Sequence, residues 1–163
     1  MGRCFAGLVD AADTLTRVLV VILTIAITIT ITLEVVFRYV LQLPLIGSEE
    51  LATYIMVWLA MLSAALAARE KAHIGMEALI NLTPSGVKRA IGYLNHALIL
   101  VFLAFLIYWG VVHTLAVVGQ MSPSLRISMV WPYVAIPVGG GLMFLQFLAL
   151  ALGVTRMRLS TEG

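Results

Sequence analysis

Charge is what this sequence has least of. Asp, Glu, Lys and Arg make up 11% of its 163 residues, against about a quarter in an ordinary globular domain. The scarcity is uneven: stretches 18–33, 51–68, 90–121 and 127–155 contain none of the four. With 62% hydrophobic residues and a mean hydropathy of +1.08, these runs exclude an ordinary soluble domain and are long enough to span a bilayer. Cysteine is nearly absent as well. Cys4 alone excludes an internal disulfide and a cysteine-based metal site. It reads as an unmodified cytoplasmic thiol, because Met1-Gly2-Arg3-Cys4-Phe5-Ala6 lacks the hydroxyl residue that myristoylation prefers at the sixth position. No nucleotide-binding loop, nucleophile–base set or zinc cluster is present, so hydrolytic chemistry, ATP-driven transport by this chain and a bound cofactor are not expected. The net charge of +2 has no basic block behind it, and nucleic acid is not an expected partner.

What is there reads as an all-α integral membrane protein, one domain over residues 1–163 with four transmembrane helices. The spans are expected at about 13–41, 49–69, 90–120 and 130–155. The first apolar run follows a leader carrying Asp10 and Asp13 and leads straight into Glu34 and Arg38, which fits an uncleaved signal-anchor helix better than a signal peptide. Its Thr28–Thr32 alternation has the period of a strand, but a lone strand in lipid leaves its backbone unpaired, so helix prevails. The threonines can bond back to carbonyls one turn earlier. In the fourth span, Pro132 is tolerated in the first turn, and Pro137 before Gly139-Gly140-Gly141 predicts a kink. Between the second and third spans, Ile74, Met76, Leu79, Ile80 and Leu82 alternate with Glu77 and Asn81, which predicts a short cytoplasmic interfacial helix over about 72–84. Of the ten Lys and Arg residues, all but Arg38 and Arg126 fall on one side of this topology. Both termini are therefore expected in the cytoplasm of a bacterium, with the spans in its inner membrane.

The charges that do border the spans gather at the first connection. Glu34 and Arg38 are four apart in the acid-first order that favours a helical ion pair. Glu49 and Glu50 open the second helix, where the dipole favours carboxylates, and Ser48 is the candidate N-cap. These four read as an ion-pair set or a partner interface. Ala60, Ala64 and Ala68, with Trp58 nearby, form a small-residue row suited to close helix approach, in this chain or another. Arg69, His73 and Glu77 share a cytoplasmic polar face. His and Glu at that spacing are two ligands without a third, so no metal site is expected. His96 and His113 sit near opposite ends of the third run and form no common site. No inverted repeat of the kind that builds many transporters is visible.

Several segments resemble a known family: the small membrane subunit (DctQ-like) of tripartite ATP-independent periplasmic (TRAP) transporters. The resemblance lies in Glu34-Val35-Val36-Phe37-Arg38-Tyr39, Pro44, Glu49-Glu50, Trp58, Ala64-Ala65, Arg69 and His73-Ile74. It resumes at Gln120-Met121-Ser122-Pro123-Ser124-Leu125 and at Trp131-Pro132-Tyr133 through Pro137 and Gly139. Three local departures stand out: no tryptophan precedes the paired acids, and Arg126 and Ser128 stand where glycine and proline are common. The resemblance implies an accessory subunit of a sodium-coupled importer of organic anions (dicarboxylates, keto acids or sugar acids). Such a subunit packs as a heterodimer against a large membrane subunit that holds the substrate and sodium sites, and a periplasmic binding protein delivers substrate to the complex. It also implies a periplasmic loop carrying Gln120, Ser122, Pro123, Trp131 and Tyr133, with lipid around the helices. The competing expectation is an autonomous four-helix proton-coupled exporter that uses Glu34 as its membrane carboxylate.

Overall fold

The structure, a computed structural model, describes residues 2–71 and 85–151. The interfacial segment expected over 72–84, with His73 and Glu77, lies outside the described residues. Helix α1 spans Gly2–Val35 and continues into one π-helical turn, Val36–Val40. Helices α2 (Ser48–Lys71), α3 (Ser85–Ala116) and α4 (Val130–Ala151) follow. Each contains a stretch long and apolar enough to cross a membrane: Ala11–Val40, Ser48–Ala68, Leu94–Ala116 and Val130–Leu148.

Helix α1 begins well before Asp13, since nothing in Ala6-Gly7-Leu8-Val9-Asp10-Ala11-Ala12 blocks helical dihedrals, and the Arg17–Asp13 pair at 3.0 Å closes the turn that follows. Its hydroxyls fold back onto its own backbone: Thr16, Thr24, Thr28 and Thr30 donate to the carbonyls of Ala12, Val20, Thr24 and Ala26 at 2.7–2.8 Å. Those bonds remove the polar cost of threonine in an apolar medium. Among the covered or partly covered positions, Val9, Asp13, Thr16, Val20, Leu23, Ile27, Thr30, Glu34 and Phe37 alternate by four and three residues, with Ala12 and Ala26 partly covered beside them. That is a heptad seam, the pattern of left-handed helix pairing, and it lies against α2. Most of the rest of α1 from Leu15 to Val36, including Val21, Ile25 and Ile29, is exposed.

The helices lie in the spatial order α1, α2, α4, α3, each packed chiefly on its neighbours in that row, with a small extra contact between α1 and α4. Helices α3 and α4 run antiparallel: Gly110 lies against Ile136 and Pro137, and Gly140 against Ile107. Helices α2 and α4 run parallel, with Gly139 on Met61. Helix α4 continues through Pro137 as one element, and Pro132 is buried in its first turn. Buried hydrophobic side chains among the described residues are few: Val9, Leu62, Ala65, Leu103 and Ala135. In water so thin a core would not hold four helices. In lipid, close approach of small residues and polar contacts take over that task.

Between α2 and α4 the approach is tight at Gly139, where a Cβ would stand 2.7 Å from Met61 Cβ and 3.2 Å from its backbone carbon. The Ala60, Ala64, Ala68 row does not make this contact. Ala60 and Ala64 are exposed and Ala68 is half-buried, while Ala65 is wholly enclosed at 0%. We expect Gly139→Val to force α2 and α4 apart and destabilise the fold by about 1–3 kcal/mol. Gly141→Ala meets nothing within 4 Å and should be neutral or stabilising by up to about 1 kcal/mol. Thermal unfolding of the two variants in detergent measures the difference; equal midpoints would contradict the packing account.

Candidate functional site

Two connections meet at one end of the row: residues 41–47 between α1 and α2, and residues 117–129 between α3 and α4. The last turn of α1 is widened, with Leu41 N–H donating to the Val36 carbonyl at 3.2 Å and Leu43 N–H to that of Phe37 at 3.0 Å. Arg38 projects from this turn. Its Nη2 donates to Glu34 Oε1 at 2.7 Å and also to Glu49 Oε1 on α2. One guanidinium thus bridges two helices through two carboxylates. Glu34, on the seam, has a side chain only 13% exposed, whereas Glu49 stands 72% exposed.

Glu50 has a different task from its neighbour, because consecutive helical side chains point about 100° apart. Its Oε2 accepts the backbone N–H groups of Ser124 (3.1 Å) and Leu125 (3.0 Å), and its Oε1 accepts the Tyr54 hydroxyl at 2.9 Å. Three donors therefore converge on one carboxylate that ties the second connection to the start of α2. Gly47 makes room for this junction. Its φ of +90° suits glycine, and a Cβ there would meet Leu125 Cδ2 at 2.7 Å. Gly47 also caps α2, since its carbonyl accepts the Leu51 N–H at 3.0 Å. Ser48 is therefore not the N-cap: it is already helical, and its buried hydroxyl turns back to the Leu45 carbonyl at 3.0 Å.

The second connection is a compact turn. Helix α3 ends at Ala116, and Gly119 at φ +87° turns the chain. A bridge pairs Met121 with Ser128, Ser122 N–H donates to the Ile127 carbonyl at 2.9 Å, and Met129 N–H to that of Gln120 at 3.0 Å. Arg126 sits at φ +52°, a left-handed conformation in which glycine is the unstrained choice. That is the physical reason glycine suits this place. Ser122 is 2% exposed, while Gln120 and Pro123 are exposed. Trp58 does not merely face outward: its indole N–H donates to the Trp131 carbonyl at 3.1 Å, pinning the start of α4. Trp131 is exposed and Tyr133 half-buried.

The structure thus brings Glu34, Arg38, Glu49, Glu50, Ser122, Trp58 and Trp131 to one end and leaves Ala60 and Ala64 on an outward face. Arg69 belongs to α2 at its opposite end. Sequence reasoning missed Tyr54, whose spacing of four from Glu50 was the available signal, and Gly47. Chemically, the cluster holds geometry: its carboxylates are matched to donors on three segments, an arrangement that aligns them.

Two outcomes follow from this division of labour. Glu50→Ala should release the 117–129 connection and lower the thermal midpoint more than Glu49→Ala, whose carboxylate is exposed; equal losses would refute the assignment. Reversing Glu34 and Arg38 together should not restore wild-type stability, because Glu49 then faces a carboxylate at position 38. Adding Glu49→Arg should restore it, and full recovery by the double reversal would show that Glu49 is idle.

All of these residues fall inside a segment that matches a known family. The family model described as tripartite ATP-independent periplasmic transporters, DctQ component, matches residues 27–157. The chain is 30% identical over 120 residues to the C4-dicarboxylate TRAP transporter small permease protein DctQ of Rhodobacter capsulatus, covering 69% of this chain and 50% of that protein. It is also 29% identical over 115 residues to the sialic acid TRAP transporter permease protein SiaT of Haemophilus influenzae (strain 86-028NP), covering 71% of this chain and 19% of that protein. It therefore spans about half the length of the first relative and about a fifth of the second. With four membrane-length helices among the described residues and a family match over most of its length, the chain belongs to the DctQ-component family of TRAP transporters.

Proposed function

We propose that this chain is the small, non-catalytic membrane subunit of a sodium-coupled importer of an organic anion, and that it works by packing against a large membrane subunit. The observation that carries the reading is the family match across the whole hairpin-and-loop cluster, joined to the size relation with SiaT. That relative is a permease, and the part similar to this chain is 19% of it. The partner in this reading is a large TRAP membrane subunit, which forms a heterodimer with this chain and carries the substrate and sodium sites. A periplasmic binding protein delivers substrate to the assembled pair. The names of the two relatives, one for C4-dicarboxylate and one for sialic acid, support an acidic organic substrate.

In this reading residues 1–163 form a single membrane domain in the bacterial inner membrane, with both termini in the cytoplasm. The distribution of Lys and Arg supports that orientation, and it turns the Glu34–Glu50 hairpin and the 117–129 loop to the periplasm. The exposed α2 face of Glu49, Thr53, Met56, Ala60 and Ala64 offers small side chains and one carboxylate to a neighbouring helix. The same distribution assigns Arg69, His73 and Glu77 to the cytoplasmic side. Glu34 is paired with Arg38 and held on the α1–α2 seam, which argues against its serving as the exchangeable carboxylate of an autonomous exporter.

Co-expression tests the proposal. The chain should co-purify with a much larger multi-span protein encoded beside it, and proteoliposome uptake of an organic anion should require both proteins, a sodium gradient and the binding protein. Undiminished uptake by the large protein alone would overturn the scaffold role, and proton-coupled efflux by this chain alone would replace it.

A further inference from the structure

The connection between α1 and α2 has no charged residue, and its apolar side chains turn away from the chain. Leu43 is 66% exposed and Ile46 is 87% exposed, with Leu41 and Leu45 exposed beside them. The backbone that presents them is fixed at both ends. Leu43 N–H is bonded to the Phe37 carbonyl, the Leu45 carbonyl accepts the Ser48 hydroxyl, and Gly47 lies against Leu125. Arg126 follows Leu125 in the chain and Ile46 precedes Gly47, so two exposed residues, one cationic and one apolar, are chain neighbours of the same contact. Arg126 makes no ion pair among the described residues, while the nearby acids are engaged: Glu34 and Glu49 share Arg38, and Glu50 accepts three donors.

The level of this junction is marked independently. Tyr39, in the last turn before the first connection, and Trp131, in the first turn of α4, are both exposed at this end of the row. Indole and phenol rings concentrate where a bilayer meets water, with the ring in the apolar zone and the N–H or O–H among headgroups. A short apolar tip beside an arginine suits the same boundary, because the alkyl groups enter the acyl region and the guanidinium meets phosphate.

We propose that the 41–47 connection and Arg126 form a docking surface for phospholipid, with Leu43 and Ile46 seated at the acyl boundary and Arg126 on a headgroup phosphate. The surface anchors this end of the row at a fixed depth. It requires only that the chain sits in a membrane, so its failure leaves the transport reading untouched.

Spin labelling of the full chain tests it. On a Cys4→Ser background, a single nitroxide at Leu43→Cys or Ile46→Cys is placed in nanodiscs of phosphatidylethanolamine and phosphatidylglycerol. Collisions with oxygen should exceed those with a water-soluble nickel chelate at both positions. Arg126→Glu should shift the balance at position 46 toward nickel, with helical content by circular dichroism unchanged. Dominant nickel access at both positions in the chain alone overturns the proposal. So does protection that appears only on adding the large membrane subunit or on raising the protein-to-lipid ratio, which assigns the surface to a protein partner or a second copy. An unchanged balance in Arg126→Glu removes the phosphate contact.

Discussion

The parallel alignment of α2 and α4 is the constraint on which the rest of the arrangement depends. Antiparallel neighbours inherit their register from a short turn, but parallel helices are joined only through a whole intervening helix, here α3. Something other than chain connectivity must set how far one slides along the other. Three contacts do so: the Glu50 carboxylate on the Ser124 and Leu125 N–H groups, the Trp58 indole on the Trp131 carbonyl, and Gly139 on Met61. The first acts at the head of α2 and the third 11 residues further along it, with the Trp58 contact between them holding the first turn of α4, so translation and tilt are both restricted. Helices α1 and α3 then attach to this central pair as flanks.

Such a design suits lipid. Side chains on the flanks gain nothing from burial, because acyl chains are as apolar as leucine. What separates one arrangement from another is polar satisfaction and the closeness of backbones. The threonines of α1, bonded to their own helix, are silent in this respect. Arg38, reaching from α1 to a carboxylate of α2, is not.

Much of this was legible in the sequence, and the boundary of what was not has physical causes. Charge-free runs mark spans because no water reaches the middle of a bilayer. The Glu34–Arg38 spacing marks a pair because both residues sit on one helix, where geometry follows from numbering. The separate tasks of Glu49 and Glu50 were illegible, since each is defined by a partner on another segment, 11 positions away for Arg38 and 74 or 75 for the loop amides. The cap of α2 was misread because Ser48 is the better capping residue in isolation, whereas the left-handed Gly47 required by Leu125 moved the helix start. The Ala60, Ala64, Ala68 row has the right spacing for close approach, but spacing does not say which face of α2 the other helices take. Chain order, likewise, does not reveal that α4 lies between α2 and α3.

Helix α1 is out of scale with its neighbours. Its apolar span, Ala11–Val40, has 30 residues, where that of α4, Val130–Leu148, has 19. At 1.5 Å per residue these are about 45 Å and about 28 Å of rod. A hydrocarbon layer of about 30 Å accommodates the shorter upright. The longer one cannot be contained even at the steepest tilts usual for membrane helices. Since the Arg38 bridge ties its far end to the head of α2, the surplus must emerge at the other end, where Asp13 and Arg17 pair. In a bilayer that seats the Arg38 bridge at one surface, the Asp13–Arg17 end of α1 therefore stands beyond the other, a helical post whose height follows from the length of the helix.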